Sequence, residues 1–114
     1  MLLVVLASVC WCGAMHLFSA IPDIKPDTKA RLKTSAIVLG ERKGLMMCAL
    51  LWAVAAIVSI IVFPFSLSLL AYPVIPILVL KKKIELMKMY KLFPIVNIAL
   101  LCPVALAILI VQLF

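Results

Sequence analysis

Long apolar runs alternate with short charged ones along this chain. Met1 to Ile21 carries no charged group apart from the titratable His16, Leu45 to Leu80 carries none over 36 residues, and Leu92 to Phe114 carries none. Each run is long enough to cross the roughly 30 Å hydrocarbon layer as a helix. As a single helix at about 1.5 Å per residue, the middle run overshoots that layer. It therefore predicts two spans with a tight turn at Phe63, Pro64, Phe65 and Ser66, where proline removes a backbone donor. Pro73 and Pro76 then fall inside the third span, where neighbouring helices are expected to satisfy the freed carbonyls.

The pattern predicts an all-α fold: a single integral membrane domain over residues 1–114, built as a multi-pass transmembrane helical bundle. Its four spans fall at about 1–21, 45–63, 66–80 and 92–114, with charged loops at about 22–44 and 81–91. The first run lacks a basic start and outruns the ~7–15 apolar residues of a secretory signal, so it reads as a retained span. Composition agrees, with 68% hydrophobic and 13% charged residues, against roughly 45–50% and 25% in soluble domains.

Charge placement supports the count of spans. All eleven Lys and Arg lie in the two loops, six between Lys25 and Lys43 and five between Lys81 and Lys91. Four spans put both loops on one face, and the excess of basic residues marks that face as cytoplasmic in a plasma-membrane protein. The formal net charge of +7 then points to anionic lipid headgroups and anionic substrates rather than nucleic acid. Lys81, Lys82 and Lys83 read first as a topology anchor. Cys10, Cys12, Cys48 and Cys102 match neither redox-pair nor zinc spacing and read as small apolar fillers.

Candidate chemistry is confined to the first charged loop. Asp23 and Asp27 are four apart and share a face if helical. Pro22 and Pro26 suggest a span ending near Ala20 and a short new helix beginning near Asp23, and Gly40 is a stop signal for the segment from Thr28. Two carboxylates suit Mg²⁺, which takes one or two protein carboxylates and fills its shell with water and phosphate oxygens. Lys29, Arg31 and Lys33 supply charge for a diphosphate. By spacing alone, the same alternation of acids and bases also describes an ordinary solvated loop.

The stretch IPDIKPDTKARLKTSAIVLG closely resembles the second aspartate-rich motif of the UbiA family of membrane prenyltransferases. With HLFSAIPDI before it, the wording is most similar to the branch that elongates carotenoids, the lycopene elongases, and the match is dense from about Gly13 to Gly44. The resemblance implies a helical-bundle enzyme with a central cavity open to the cytoplasmic side and the lipid. In such an enzyme Mg²⁺ holds the diphosphate of a prenyl donor while the isoprenoid passes to a lipophilic acceptor. It implies Asp23 and Asp27 as metal ligands and Lys33 as a diphosphate contact, with Lys29 secondary. No covalent intermediate is needed: Mg²⁺ and cations stabilise the departing diphosphate, and an apolar cavity shields the allylic cation from water.

Two departures stand out. The first aspartate-rich motif of the family is absent, since the other acids are Glu41 and Glu85, so the chain is expected to be the C-terminal half of such an enzyme and inactive without a companion N-terminal half. Arg31 stands where the family more commonly has glycine, with its guanidinium either crowding the diphosphate or pointing to solvent.

Other residues divide between roles. His16, seven residues before Asp23, is a candidate cavity-lining group if the helix is continuous, set against an ordinary histidine near a helix end. Asn97 favours an interhelical hydrogen bond, Tyr90 an interface anchor and Trp52 packing. KKKIELMKMYKLF fits a short helix on the headgroup layer. Competing functions are a small four-span multidrug-type transporter, for which His16 is the sole candidate ionisable group within a span, and a non-catalytic membrane assembly subunit.

Overall fold

The computed structural model describes residues 1–82 and 84–114; Lys83 of the basic cluster lies outside the described residues. Helix α1 spans Leu2–Ala20, and a 3₁₀ turn over Ile21–Asp23 leads into the short α2, Ile24–Lys29. The long α3 covers Ser35–Val62, followed by a 3₁₀ segment Pro64–Ala71, α4 over Val74–Leu80 and α5 over Leu86–Leu113. Three helical stretches are long and apolar enough to cross a membrane, and Pro64–Leu80 is a shorter apolar one. The chain is an integral membrane protein.

The seam between α1 and α3 is built from small residues. Ala7, Ala14, Gly44, Cys48, Ala55 and Ala56 are all buried, which lets two backbones approach closely in lipid. The Cys48 thiol donates to the Ala14 carbonyl at 3.5 Å. At one end of the seam a Cβ on Gly44 would stand 3.2 Å from Ile21 Cδ1, so even alanine forces the isoleucine to shift.

Against this seam the remaining elements pack through aromatic rings. Trp52 is fully buried and has Phe18, Tyr72 and Phe93 within 5.5, 5.5 and 5.7 Å between ring centroids. Its place at the centre of the cluster agrees with the packing role expected for it. Tyr72 donates its hydroxyl proton to Asn97 Oδ1 at 2.6 Å, so the interhelical hydrogen bond expected of Asn97 is present. The Ser68 hydroxyl donates to the Leu100 carbonyl at 2.9 Å and ties the same two elements together again.

The segment expected as a third span over 66–80 departs from a continuous α-helix. Proline at 73 and 76 would leave the carbonyls of Leu69 and Tyr72 without their α-helical donors. Those carbonyls are taken within the segment by Tyr72 N–H at 3.2 Å and Ile75 N–H at 3.1 Å, not by neighbouring helices. Such i to i+3 bonds stretch the chain to ~2.0 Å per residue.

One further bound differs from the sequence pattern. The segment KKKIELMKMYKLF does not form a separate headgroup helix: from Leu86 onward it is the first turns of α5. Gly40 leaves helical geometry, at φ 77° and ψ 169°, so the helical turn from Ser35 stops there as expected and helix resumes across a kink at Glu41. No atom lies within 4 Å of where its Cβ would stand, so the backbone angle and not crowding calls for glycine.

Candidate metal and diphosphate site

The charged end of the bundle gathers around α2. Ile21 is buried and Ile24 packs against the core cluster, so the chain is pinned at the entrance of this helix. No residue of α2 itself is buried. Asp23 occupies the N-cap of α2, where an aspartate ordinarily accepts a hydrogen bond from the second or third helical N–H. Its side chain makes no such bond. Pro26, at the third position, has no N–H to offer, so only the second helical N–H, that of Lys25, remains as a capping donor.

Asp27 follows one helical turn later and is half-buried, whereas Asp23 is exposed. Asp23 itself stands just outside the helix, as its N-cap in a non-helical conformation, and Asp27 falls in the first turn, so the two carboxylates lie at the same end of α2. The Thr28 hydroxyl is committed elsewhere, donating to the Ile24 carbonyl at 2.6 Å. Among the described residues no group of three or more His, Cys, Asp or Glu side chains could hold a metal ion. Two carboxylates are nonetheless the protein share that Mg²⁺ takes when phosphate and water complete its octahedron.

The exit from α2 is a left-handed cap. Leu32 N–H donates to the Asp27 carbonyl at 3.0 Å and Arg31 N–H to the Thr28 carbonyl at 3.1 Å, the paired bonds of a Schellman ending. Arg31 takes the left-handed position with φ 57°. Its side chain is exposed, as are those of Lys29, at the last position of α2, and Lys33, on the extended stretch before α3. Thr34 then opens α3 by accepting the Ile37 N–H at 3.3 Å. Neither the left-handed Arg31 nor the uncapped Asp23 was foreseen from sequence. Pro26, which removes one of the two possible capping donors, was the available signal for the second.

His16 lies on an exposed part of α1, its carbonyl accepting the Ser19 hydroxyl at 2.9 Å. The 3₁₀ turn at Ile21–Asp23 separates it from Asp23, so the two do not share one continuous α-helix. A cavity of about 480 Å³ lies elsewhere, lined by Val4, Trp11, Ser59, Phe63, Ser66 and Leu101 among others. Those residues come from the first half of α1, the end of α3 with the Phe63 that follows it, the 3₁₀ segment and the second half of α5, away from the aspartates at the other end of α1. His16 does not line it.

The family model for UbiA prenyltransferases matches residues 1–85, which contain α1 to α4 and both aspartates. The chain belongs to the UbiA prenyltransferase family. Among characterised members it is 39% identical over 97 residues to the lycopene elongase/hydratase of Halobacterium salinarum, covering 84% of this chain and 35% of that protein. To the lycopene elongase/hydratases of Haloferax volcanii and Haloarcula japonica it is 38% and 36% identical over 88 residues, covering 76% of this chain and 29% and 30% of theirs. The chain thus spans about a third of the length of these UbiA relatives. No solved structure matches it.

Proposed function

We propose that this chain supplies one metal-binding half of a UbiA-type prenyltransferase site, with Asp23 and Asp27 as ligands to Mg²⁺ and Lys33, supported by Lys29, as contacts to the diphosphate of an isoprenoid donor. The observation that carries this reading is the pair of carboxylates at the start of a short helix, Asp23 at its N-cap without a capping bond and Asp27 in its first turn, inside the segment the family model matches. Bound Mg²⁺ would supply charge to the departing diphosphate oxygens. The lysines add point charges in the same place, where negative charge grows as the allylic carbon–oxygen bond breaks.

The acceptor is a lipophilic molecule, with a carotenoid end group favoured by the relatives' activity as lycopene elongase/hydratases. Two carboxylates leave room for further ligands, and a wall of the reaction cavity facing α2 has to come from a companion segment carrying another aspartate-rich motif. The basic loops face the cytoplasm of a plasma-membrane protein, because all eleven Lys and Arg lie on the side that retains positive charge.

Co-expression with a segment supplying the first aspartate-rich motif, followed by a Mg²⁺-dependent prenyl-transfer assay, tests this. Asp23→Ala and Asp27→Ala are each expected to abolish transfer without removing the protein from the membrane. Undiminished activity in both variants rules out the metal-ligand assignment.

A further inference from the structure

Two basic residues adopt a backbone conformation that L-residues avoid. Arg31 (φ 57°) and Lys82 (φ 56°) are the non-glycine residues with positive φ among those described. They occupy equivalent places, one closing α2 and the other closing α4. Lys82 N–H donates to the Val79 carbonyl at 3.0 Å, as Arg31 N–H does to the Thr28 carbonyl at 3.1 Å. Glycine is the usual residue in this cap, since a Cβ is strained there. At both positions a long cation stands in its place, and both side chains are exposed.

Their setting is the second observation. Every Lys and Arg of the chain lies between Lys25 and Lys43 or between Lys81 and Lys91, in the stretches joining α1 to the first turns of α3 and α4 to the first turns of α5. The start of α5 packs on the Ile21–Asp23 turn, so both loops share one end of the bundle. Lys82 comes two residues after Leu80, the last residue of the apolar α4. Strained backbone that persists at two exposed cations, where glycine would be easier, signals something gained by the charge.

We propose that Arg31 and Lys82 are anion contacts that hold phosphate groups of anionic membrane lipids at the charged end of the bundle. Arginine offers a bidentate fork and lysine a point charge, and a left-handed cap aims each away from its helix into the headgroup layer. The lipid phosphate offsets the backbone cost. This inference does not depend on the metal site at Asp23 and Asp27.

The test places the full chain in nanodiscs of phosphatidylcholine alone or with phosphatidylglycerol, and reads melting temperature and phosphatidylglycerol enrichment around the protein. Arg31→Gly/Lys82→Gly is expected to melt above the wild type in neutral discs, because strain is relieved. It is also expected to lose enrichment by about fivefold for each cation removed. Arg31→Ala/Lys82→Ala loses the enrichment without the gain in melting temperature, separating charge from backbone. Wild-type enrichment in either double variant overturns the proposal. So does a glycine variant no more stable than wild type in neutral discs, since no cost then exists for an anion to offset. A wild-type response to pyrophosphate but not to phosphatidylglycerol overturns it in favour of a substrate contact.

Discussion

The aromatic core and the aspartate-bearing helix are built on opposite principles. Around Trp52 each ring is fixed by several others and by side chains from four elements far apart in sequence. Across α2 no side chain is buried, and the geometry is held by backbone bonds between near neighbours such as Leu32 to Asp27. The core is specified by tertiary packing, the site by proline placement and helix caps. Stability and chemistry are therefore separable here: changes in the rings should unfold the bundle, and changes in the carboxylates should leave it folded and inert.

Trp52→Ala should show the largest effect, since it empties the centre of the ring cluster. A loss of about 3–5 kcal/mol is expected from such a truncation, read as a large drop in melting temperature in detergent or nanodiscs. A small drop would mean that the cluster is not the centre of stability.

Gly40→Ala probes the junction between the two regions. The backbone there, φ 77° and ψ 169°, is a conformation essentially reserved for glycine, so about 1–3 kcal/mol should be lost. The same melting assay reads it, and retention of wild-type stability would mean that the bend at Gly40 is not fixed by its backbone.

Tyr72→Phe tests the polar tie inside the core. Removing the 2.6 Å bond to Asn97 should cost roughly 1 kcal/mol, the scale measured for hydrogen bonds between membrane helices. Smallest of all should be Asp27→Asn, whose effect on melting is expected to stay within about 0.5 kcal/mol, as for surface changes outside the core. A large loss of stability in Asp27→Asn would mean that the carboxylate is part of the scaffold.

Much of the architecture was legible because lipid imposes a simple code. The end of α1 at Ala20, the helix beginning after Asp23 and the break at Phe63 follow from uncharged runs and proline positions. The backbone of Pro64–Leu80 was not, because its helix type depends on which carbonyls Pro73 and Pro76 orphan and on what lies three residues ahead of each. The joining of the basic segment to α5 was missed because a charged amphipathic stretch reads alike whether it lies on the membrane or stands above it. At the candidate site, residue types nominate Asp23, Asp27 and Lys33, while the left-handed Arg31 was hidden, since glycine is the signal for that cap and the sequence has arginine.

The central claim is that Asp23 and Asp27 together grip a divalent cation bound to diphosphate. Calorimetric titration of Mg²⁺ with pyrophosphate into the full chain in nanodiscs tests it directly, with Asp23→Asn and Asp27→Asn alongside. The account predicts Mg²⁺-dependent binding by the wild type that each substitution weakens at least tenfold while melting temperature holds. Binding of equal strength in wild type and both variants, or no Mg²⁺-dependent binding by the folded wild type, would contradict it.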